Sequence, residues 1–299
     1  MFRTVSELVD LATRENRKIS DIMIEREMKV SGSSREEIIG VMARNLEVME
    51  EAILKGEAGV QSTTGLTGGD AALMKAYIAE GRFLSGEVLL EAVTKAIATN
   101  EVNAAMGIIC ATPTAGSAGV VPGVLFAVKE QLGLSKEAMI DFLFTAGAFG
   151  FVVANQAFIS GAAGGCQAEI GSASAMASAA VVEAAGGTPE QAAHAMAMTM
   201  KNMLGLVCDP VAGLVEVPCV KRNALGASQA IISADMALAG VKSRIPCDEV
   251  IEAMYRVGLQ MPSSLRETAE GGLAATPTGR AIQAKIFGLA PENPSEHES

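Results

Sequence analysis

The sequence predicts an all-α protein, a single large helical domain crossed by Gly-, Ser- and Thr-rich loops. Three observations carry that prediction. Apolar residues make up 49% of the 299-residue chain, but with two Tyr, nine Phe and no Trp they are mostly Ala, Val, Leu, Ile and Met, and Ala, Leu and Met favour helix. Apolar positions recur at spacings of three and four, the period of one helix face. No stretch alternates over a useful length, and no strand–helix repeat sustains a parallel sheet. The 31 glycines cut across a helical composition and need a use of their own.

The first 56 residues read as helices. Ser34 is a cap with Glu37 three residues on, as in a capping box. Ile38, Ile39, Met42, Leu46, Met49 and Ile53 then form one apolar face, and Gly56 is a natural stop. In QSTTGLTGGDA, residues 61–71, hydroxyls and glycines interrupt the helical pattern. Helices are predicted over 70–80 and 86–99, the latter with Val88, Leu89, Val93 and Ile97 on one side. A further helix is predicted to start near Asn100 and to run into a second polar cluster, ATPTAGSAG at 111–119. Helical signal returns over 120–131 and again from Ser135, which has the position of a cap.

Residues 161–179, GAAGGCQAEIGSASAMASA, are predicted to begin as a flexible Gly loop and end as an Ala-rich helix. At Thr188–Pro189–Glu190–Gln191 the Thr can cap, Pro189 occupies the first turn and Gln191 closes a capping box. That helix is predicted to continue to about Leu206, ahead of Cys208–Asp209–Pro210. Further helices are predicted at 223–239, 247–259 and 278–287. No composition shift divides this body, so one domain is expected over 1–288 and a disordered polar tail over 289–299.

The net charge of −11 and pI near 4.8 argue against nucleic acid or anionic membrane as a partner. The N-terminus, MFRTVSELVDLATREN, is amphipathic and charged, unlike a secretory signal. Val102–Val128 and Phe142–Ala168 each run 27 residues without a charge, long enough to span hydrocarbon. Pro113, Pro122 and a Thr/Ser/Gly cluster in the first run, and Asn155, Gln156 and a Gly-rich exit in the second, argue for burial inside a soluble domain instead. Five widely spaced Cys fit a reducing cytoplasm, where clustered thiols more often bind metal than pair.

Cys166 lies in GAAGGCQAE, and Cys208 and Cys219 bracket CDPVAGLVEVPC. A straight helix would hold the latter two roughly 16 Å apart. Pro210, Gly213 and Pro218 instead predict a segment that folds back and brings the sulfurs together. The spacing matches no compact zinc or ferredoxin pattern, and buried packing is the alternative use of such cysteines. Three thiolates around a four-iron cubane would leave one iron open, which suits Lewis-acid chemistry better than electron transfer.

Longer blocks carry a resemblance. STTGLTGGDA (62–71), NEVNAAMG (100–107), CATPTAGSAGVVPG (110–123), SGAAGGCQAEIGSA (160–173), CDPVAGLVEVPCVKRNA (208–224) and GGLAATPTGR (271–280) closely resemble the alpha chain of iron–sulfur-dependent bacterial L-serine dehydratases, from the first residues to about Gly288. The resemblance implies an all-helical fold and an oxygen-labile [4Fe-4S] cluster on Cys166, Cys208 and Cys219. It implies conversion of L-serine to pyruvate and ammonia without pyridoxal phosphate. Some members begin with a separate α/β domain ahead of this region, so a separate beta subunit in a hetero-oligomer is expected here. The alternatives are a hydro-lyase for another small hydroxy acid and a non-catalytic iron–sulfur scaffold subunit.

For the substrate carboxylate, Gly/Ser/Thr loops offer N–H nests and hydroxyls. Ser62, Thr63, Thr64, Gly65 and Thr67 are the first candidates, with Thr112, Thr114, Gly116 and Ser117 as a second wall and Asn103 and Lys221 as polar contacts. Helix caps and tight turns are the alternative role for those loops, and Lys221–Arg222 reads equally as a surface or partner-binding pair. The general base is not identified. Of the two histidines, His297 lies in the tail and His194 in a helical AAHAMAM, so the base is expected from the beta subunit, with a lysine or a cluster-associated group of this chain as the alternative. Cys110 adjoins the second loop, and Cys247 opens a helix with a local structural role.

Overall fold

The computed structural model describes residues 2–289, so the tail prediction and His297 lie outside the described residues. Thirteen α-helices are described: α1 (Val5–Glu15), α2 (Ile19–Ser31), α3 (Arg35–Glu57), α4 (Asp70–Ala79), α5 (Glu87–Ala104), α6 (Val120–Leu132), α7 (Lys136–Gln156), α8 (Gly161–Gly164), α9 (Cys166–Ala184), α10 (Pro189–Lys201), α11 (Cys219–Leu238), α12 (Cys247–Gln260) and α13 (Pro277–Phe287). Short 3₁₀ turns occupy Val211–Gly213, Ser263–Leu265 and Gly272–Ala275. Among the described residues no strand forms, only the isolated bridges Gln61–Gly68 and Cys208–Arg266.

Helix α9 is the axis of the molecule, with α6, α7, α10 and α11 packed around it. Of its 19 residues 17 are buried. A helix made of Ala, Ser and Gly can be enclosed this way because its neighbours approach closely on every side. Two of its serines are satisfied by donating back to the helix, Ser174 to the Ile170 carbonyl (2.7 Å) and Ser178 to that of Ala175 (2.9 Å). Two of the helical glycines have the same use. A Cβ at Gly56 would stand 2.2 Å from the Ala98 carbonyl oxygen, and one at Gly123 would stand 2.7 Å from the Ala96 nitrogen, so α3 and α6 rest directly on the backbone of α5.

The capping boxes at Ser34 and Thr188 form as the spacing predicts. Elsewhere the boundaries differ from the sequence pattern. Helix α5 runs unbroken through Asn100, because that side chain is buried and donates to the Gly116 carbonyl (3.3 Å) instead of capping a new helix. Helix α10 stops at Lys201, not Leu206. The next residues turn so that the Leu206 carbonyl accepts the Gln167 N–H (2.9 Å) and Gln167 Oε1 accepts the Gly205 N–H (2.9 Å). Residues 161–164 are a short helix capped by Ser160, not a loose Gly loop. Helix α11 begins four residues earlier than predicted, at Cys219.

The two uncharged runs do not form continuous spans, since each crosses a loop between helices. Helix α7 is the one described helix long and apolar enough to cross a membrane, and 61% of its most apolar stretch is buried inside the protein. The loops 61–69 and 111–119, the N-terminus of α9, the 206–218 segment and residues 263–276 converge on one another, and the cysteines lie where they meet.

Candidate metal centre

Two of the three candidate ligand thiols sit on helix starts. Cys166 is the first residue of α9, after Gly165 (φ +77°), and Cys219 is the first of α11. Cys208 lies between them in sequence, on the strand-like segment fixed by its N–H donating to the Leu265 carbonyl (2.8 Å) and its carbonyl accepting from the Glu267 N–H (2.7 Å). From Cys208 the chain reverses. Ala212 and Gly213 take positive φ (57° and 71°), and the Val211 N–H donates to the Val217 carbonyl (2.8 Å). This reversal carries the chain to the start of α11, where Cys219 is buried.

The Cys166 and Cys208 sulfurs and a Glu169 carboxylate oxygen all lie within 4.8 Å of one another. Cys219 is buried but is not a member of that tight group. The Cys208 thiol donates to Cys166 and holds it below the ordinary thiol range, helped by the Arg222 guanidinium 3.5 Å away. The same shared proton pushes Cys208 up. Burial, then the charges of Cys166 and Glu169, push Cys219 up. Burial likewise raises the Glu169 carboxyl against the stabilising hydroxyl of Thr114.

Arg222 is one turn beyond Cys219 and not a surface residue. Its side chain is 14% exposed, and its Nη1 hydrogens are aimed at the Val207 carbonyl (2.8 Å) and Cys166 Sγ. Asp209 pairs with the same nitrogen at 2.8 Å, and its other oxygen accepts the Leu273 N–H (2.7 Å). Lys221, 100° around the helix, is exposed and ion-paired with Asp70 at the start of α4. The predicted Lys–Arg pair is therefore split between surface and site.

Both predicted binding loops fold onto buried carboxylates. Thr64 donates to Glu216 (2.8 Å), as does Thr67 (3.0 Å), and Ser62 Oγ lies 3.1 Å from Thr64 Oγ1. In the second loop Thr114 donates to Glu169, and Ser117 donates to the Thr112 carbonyl (3.1 Å). Asn103 donates to the Ala115 carbonyl (3.1 Å), and Asn223 to that of Gly116 (2.7 Å). Most of the candidate hydroxyls thus build the loops, while Thr63 and Gly65 are exposed at the tip of the first. Gly116 faces inward, where a Cβ would meet Glu169 Oε1 at 2.7 Å.

The residues present fit a thiolate-bound metal group. Soft sulfur ligands select zinc or iron–sulfur chemistry, Arg222 offsets thiolate charge, and glycine keeps the space around the sulfurs clear. A Cβ at Gly161 would stand 2.7 Å from Cys208 Sγ. Cys110 is apart from this group, donating to the Asn45 carbonyl (3.5 Å) on α3, and Cys247 is buried at the start of α12. His194 Nε2 is 3.6 Å from Glu190, one turn away on α10. Glu169, Glu216, Asp209 and the inward role of Arg222 escaped the sequence reading. Cys-x-x-Glu and Cys-x-x-Arg place each pair on one helix face, which was the available signal for Glu169 and Arg222.

The family described as serine dehydratase alpha chain matches residues 14–274. The chain is 69% identical over 290 residues to the probable L-serine dehydratase, alpha chain, of Bacillus subtilis (strain 168), covering 97% of each chain. It is 44% identical over 284 residues to the L-serine dehydratase, alpha chain, of Peptoniphilus asaccharolyticus, covering 95% of this chain and 97% of that one. L-serine dehydratase 1 of Escherichia coli (strain K12) is 35% identical over 284 residues, 91% of this chain and 61% of the longer protein.

Proposed function

The chain belongs to the serine dehydratase alpha chain family, and from that premise we propose that it is the cluster-bearing subunit of an L-serine dehydratase. The reaction is a β-elimination. The α-proton leaves, the Cβ–O bond breaks and water departs. The resulting aminoacrylate tautomerises to an imine, which water hydrolyses to pyruvate and ammonia. Cys166, Cys208 and Cys219 would hold a [4Fe-4S] cluster, with no pyridoxal phosphate. Bound there, the cluster supplies a Lewis-acidic iron to the substrate's β-hydroxyl.

The observation that carries this reading is the buried thiol pair beside Glu169, with a third buried thiol, Cys219, in the field of Cys166 and Glu169 and glycines in place of side chains around the pair. The chain's own residues then have separable tasks. Arg222 balances negative charge at Cys166 and fixes the Val207 carbonyl, holding the Cys208 segment in place. Glu216 and Glu169 pin the two Gly/Thr loops, whose backbone N–H groups and Thr63 are the candidates for the substrate carboxylate. Asn103, Thr112, Ser117 and Lys221 support these loops rather than reach out from them. The base that takes the α-proton would come from a beta subunit, which would also close the site against water.

The test is anaerobic reconstitution of the chain with iron and sulfide, metal counting, and a serine-to-pyruvate assay with increasing beta subunit. Four irons per chain and activity that saturates near one-to-one are expected, with no gain from pyridoxal phosphate. Cys166→Ala, Cys208→Ala and Cys219→Ala should each abolish the four-iron Mössbauer signature, while Cys247→Ala and His194→Ala keep it. Four-iron clusters in all three variants would defeat the ligand assignment. Full turnover by the chain alone would defeat the shared site.

A further inference from the structure

The geometry points to Glu169 as a fourth protein ligand of the metal group, an oxygen donor beside the thiolates; this inference rests on the reading above. Cys166 and Glu169 are three residues apart at the start of α9, so one helical turn presents sulfur and carboxylate on the same face. Cys208 completes the triangle within 4.8 Å.

Two glycines from different segments clear the carboxylate as well as the sulfurs. A Cβ at Gly116 would stand 2.7 Å from Glu169 Oε1, and one at Gly161 would stand 3.2 Å from Oε2 and 2.7 Å from Cys208 Sγ. Helix packing does not account for these two clearances, since the atoms that side chains would strike are ligand-type oxygens and sulfur.

Glu169 is also short of partners. It is buried, and among the described residues only the Thr114 hydroxyl donates to it, at Oε1. No Lys, Arg or His among the described residues pairs with it, and the nearby Arg222 is committed to Asp209, Val207 and Cys166. The charge of Glu267 adds to the negative field there. A buried carboxylate among thiols, with one hydroxyl for company, calls for a cation. An oxygen ligand holds iron less firmly than thiolate does, so it can occupy a coordination position that substrate later takes.

The test is ⁵⁷Fe Mössbauer spectroscopy of the anaerobically reconstituted full chain without substrate, with the rate of iron loss to excess EDTA measured in parallel. In the wild type one iron of four should show oxygen ligation. Glu169→Gln should alter the spectrum of that iron alone and speed its loss by roughly ten-fold or more, with circular dichroism unchanged. Gly116→Ala, whose methyl crowds the carboxylate, is the second variant and should shift the same subsite. A fourth iron with wild-type spectrum and loss rate in both variants would overturn Glu169 as a ligand while leaving the cluster assignment standing. A wild-type chain that takes up no four-iron cluster would overturn both.

Discussion

Arg222 and Asp209 form a charge pair whose members serve different neighbours. Arg222 faces Cys166 and the Val207 carbonyl, and Asp209 holds the Leu273 N–H at the start of the Gly272–Ala275 turn. The Asp209 side chain is 4% exposed, so removing its cation leaves a buried charge uncompensated. Arg222→Met is therefore expected to lower stability by about 3–5 kcal/mol, measured by urea unfolding of the apo chain. Adding Asp209→Asn to that variant should recover part of the loss, because the orphaned charge is gone. Equal midpoints for Arg222→Met and wild type would show that the pair is solvated and not part of the buried frame.

Helices in this fold are often capped by acids from distant elements. Glu101 on α5 accepts the Asp70 N–H (2.8 Å) at the start of α4, whose own Gly69 offers no side chain. Asp248 at the start of α12 accepts the Val5 and Ser6 N–H groups of α1 (2.8 and 2.9 Å). Glu183 on α9 accepts the Ile19 N–H of α2 (2.5 Å) and the Thr145 hydroxyl of α7. Burial holds the Glu183 carboxyl above the usual carboxylate range, against these donors and the nearby Lys18. A raised folded value means that stability from this group is full below the unfolded value and lost as pH rises through the folded one. Glu183→Gln cannot ionise and escapes that loss. Its urea midpoint relative to wild type should therefore climb over the pH range above about 4.5, the usual carboxylate value. A constant difference over that range would show that Glu183 titrates as an exposed acid.

Across the whole molecule, the close approach of helices depends on which glycines face backbone. Gly123→Ala would drive its methyl to 2.7 Å from the Ala96 nitrogen and 2.8 Å from the Ala92 carbonyl oxygen, atoms of the α5 backbone that cannot swing aside. A loss of about 3 kcal/mol is expected from such overpacking. Gly147 lies inside α7 with nothing within 4 Å of its ideal Cβ. Gly147→Ala should therefore stabilise by about 0.5–1 kcal/mol, the helix-propensity gain with no steric cost. Thermal unfolding of the two variants side by side checks the contrast. Equal shifts would mean that α5 and α6 can separate at little cost.

The all-helical class was determined by the sequence alone, because a three- and four-residue apolar period and local caps such as Ser34 and Thr188 need no partner segment to be read. So was the reversal between Cys208 and Cys219, since Pro fixes φ and Gly admits the positive φ of a tight turn wherever they stand. Tertiary structure decided the rest. Asn100 continues α5, and α10 stops at Lys201, because the Gly116 carbonyl and Gln167 lie across the fold from them. The hydroxyls of Thr64 and Thr114 turn to Glu216 and Glu169, residues 152 and 55 positions away in the chain. Ser and Thr in a Gly-rich loop read the same whether they face a ligand or a buried carboxylate, and only the packing of α9 and α11 brings those acids beneath the loops. The same packing turns Arg222 inward and leaves Lys221 outside, a distinction that depends on which helix face is covered.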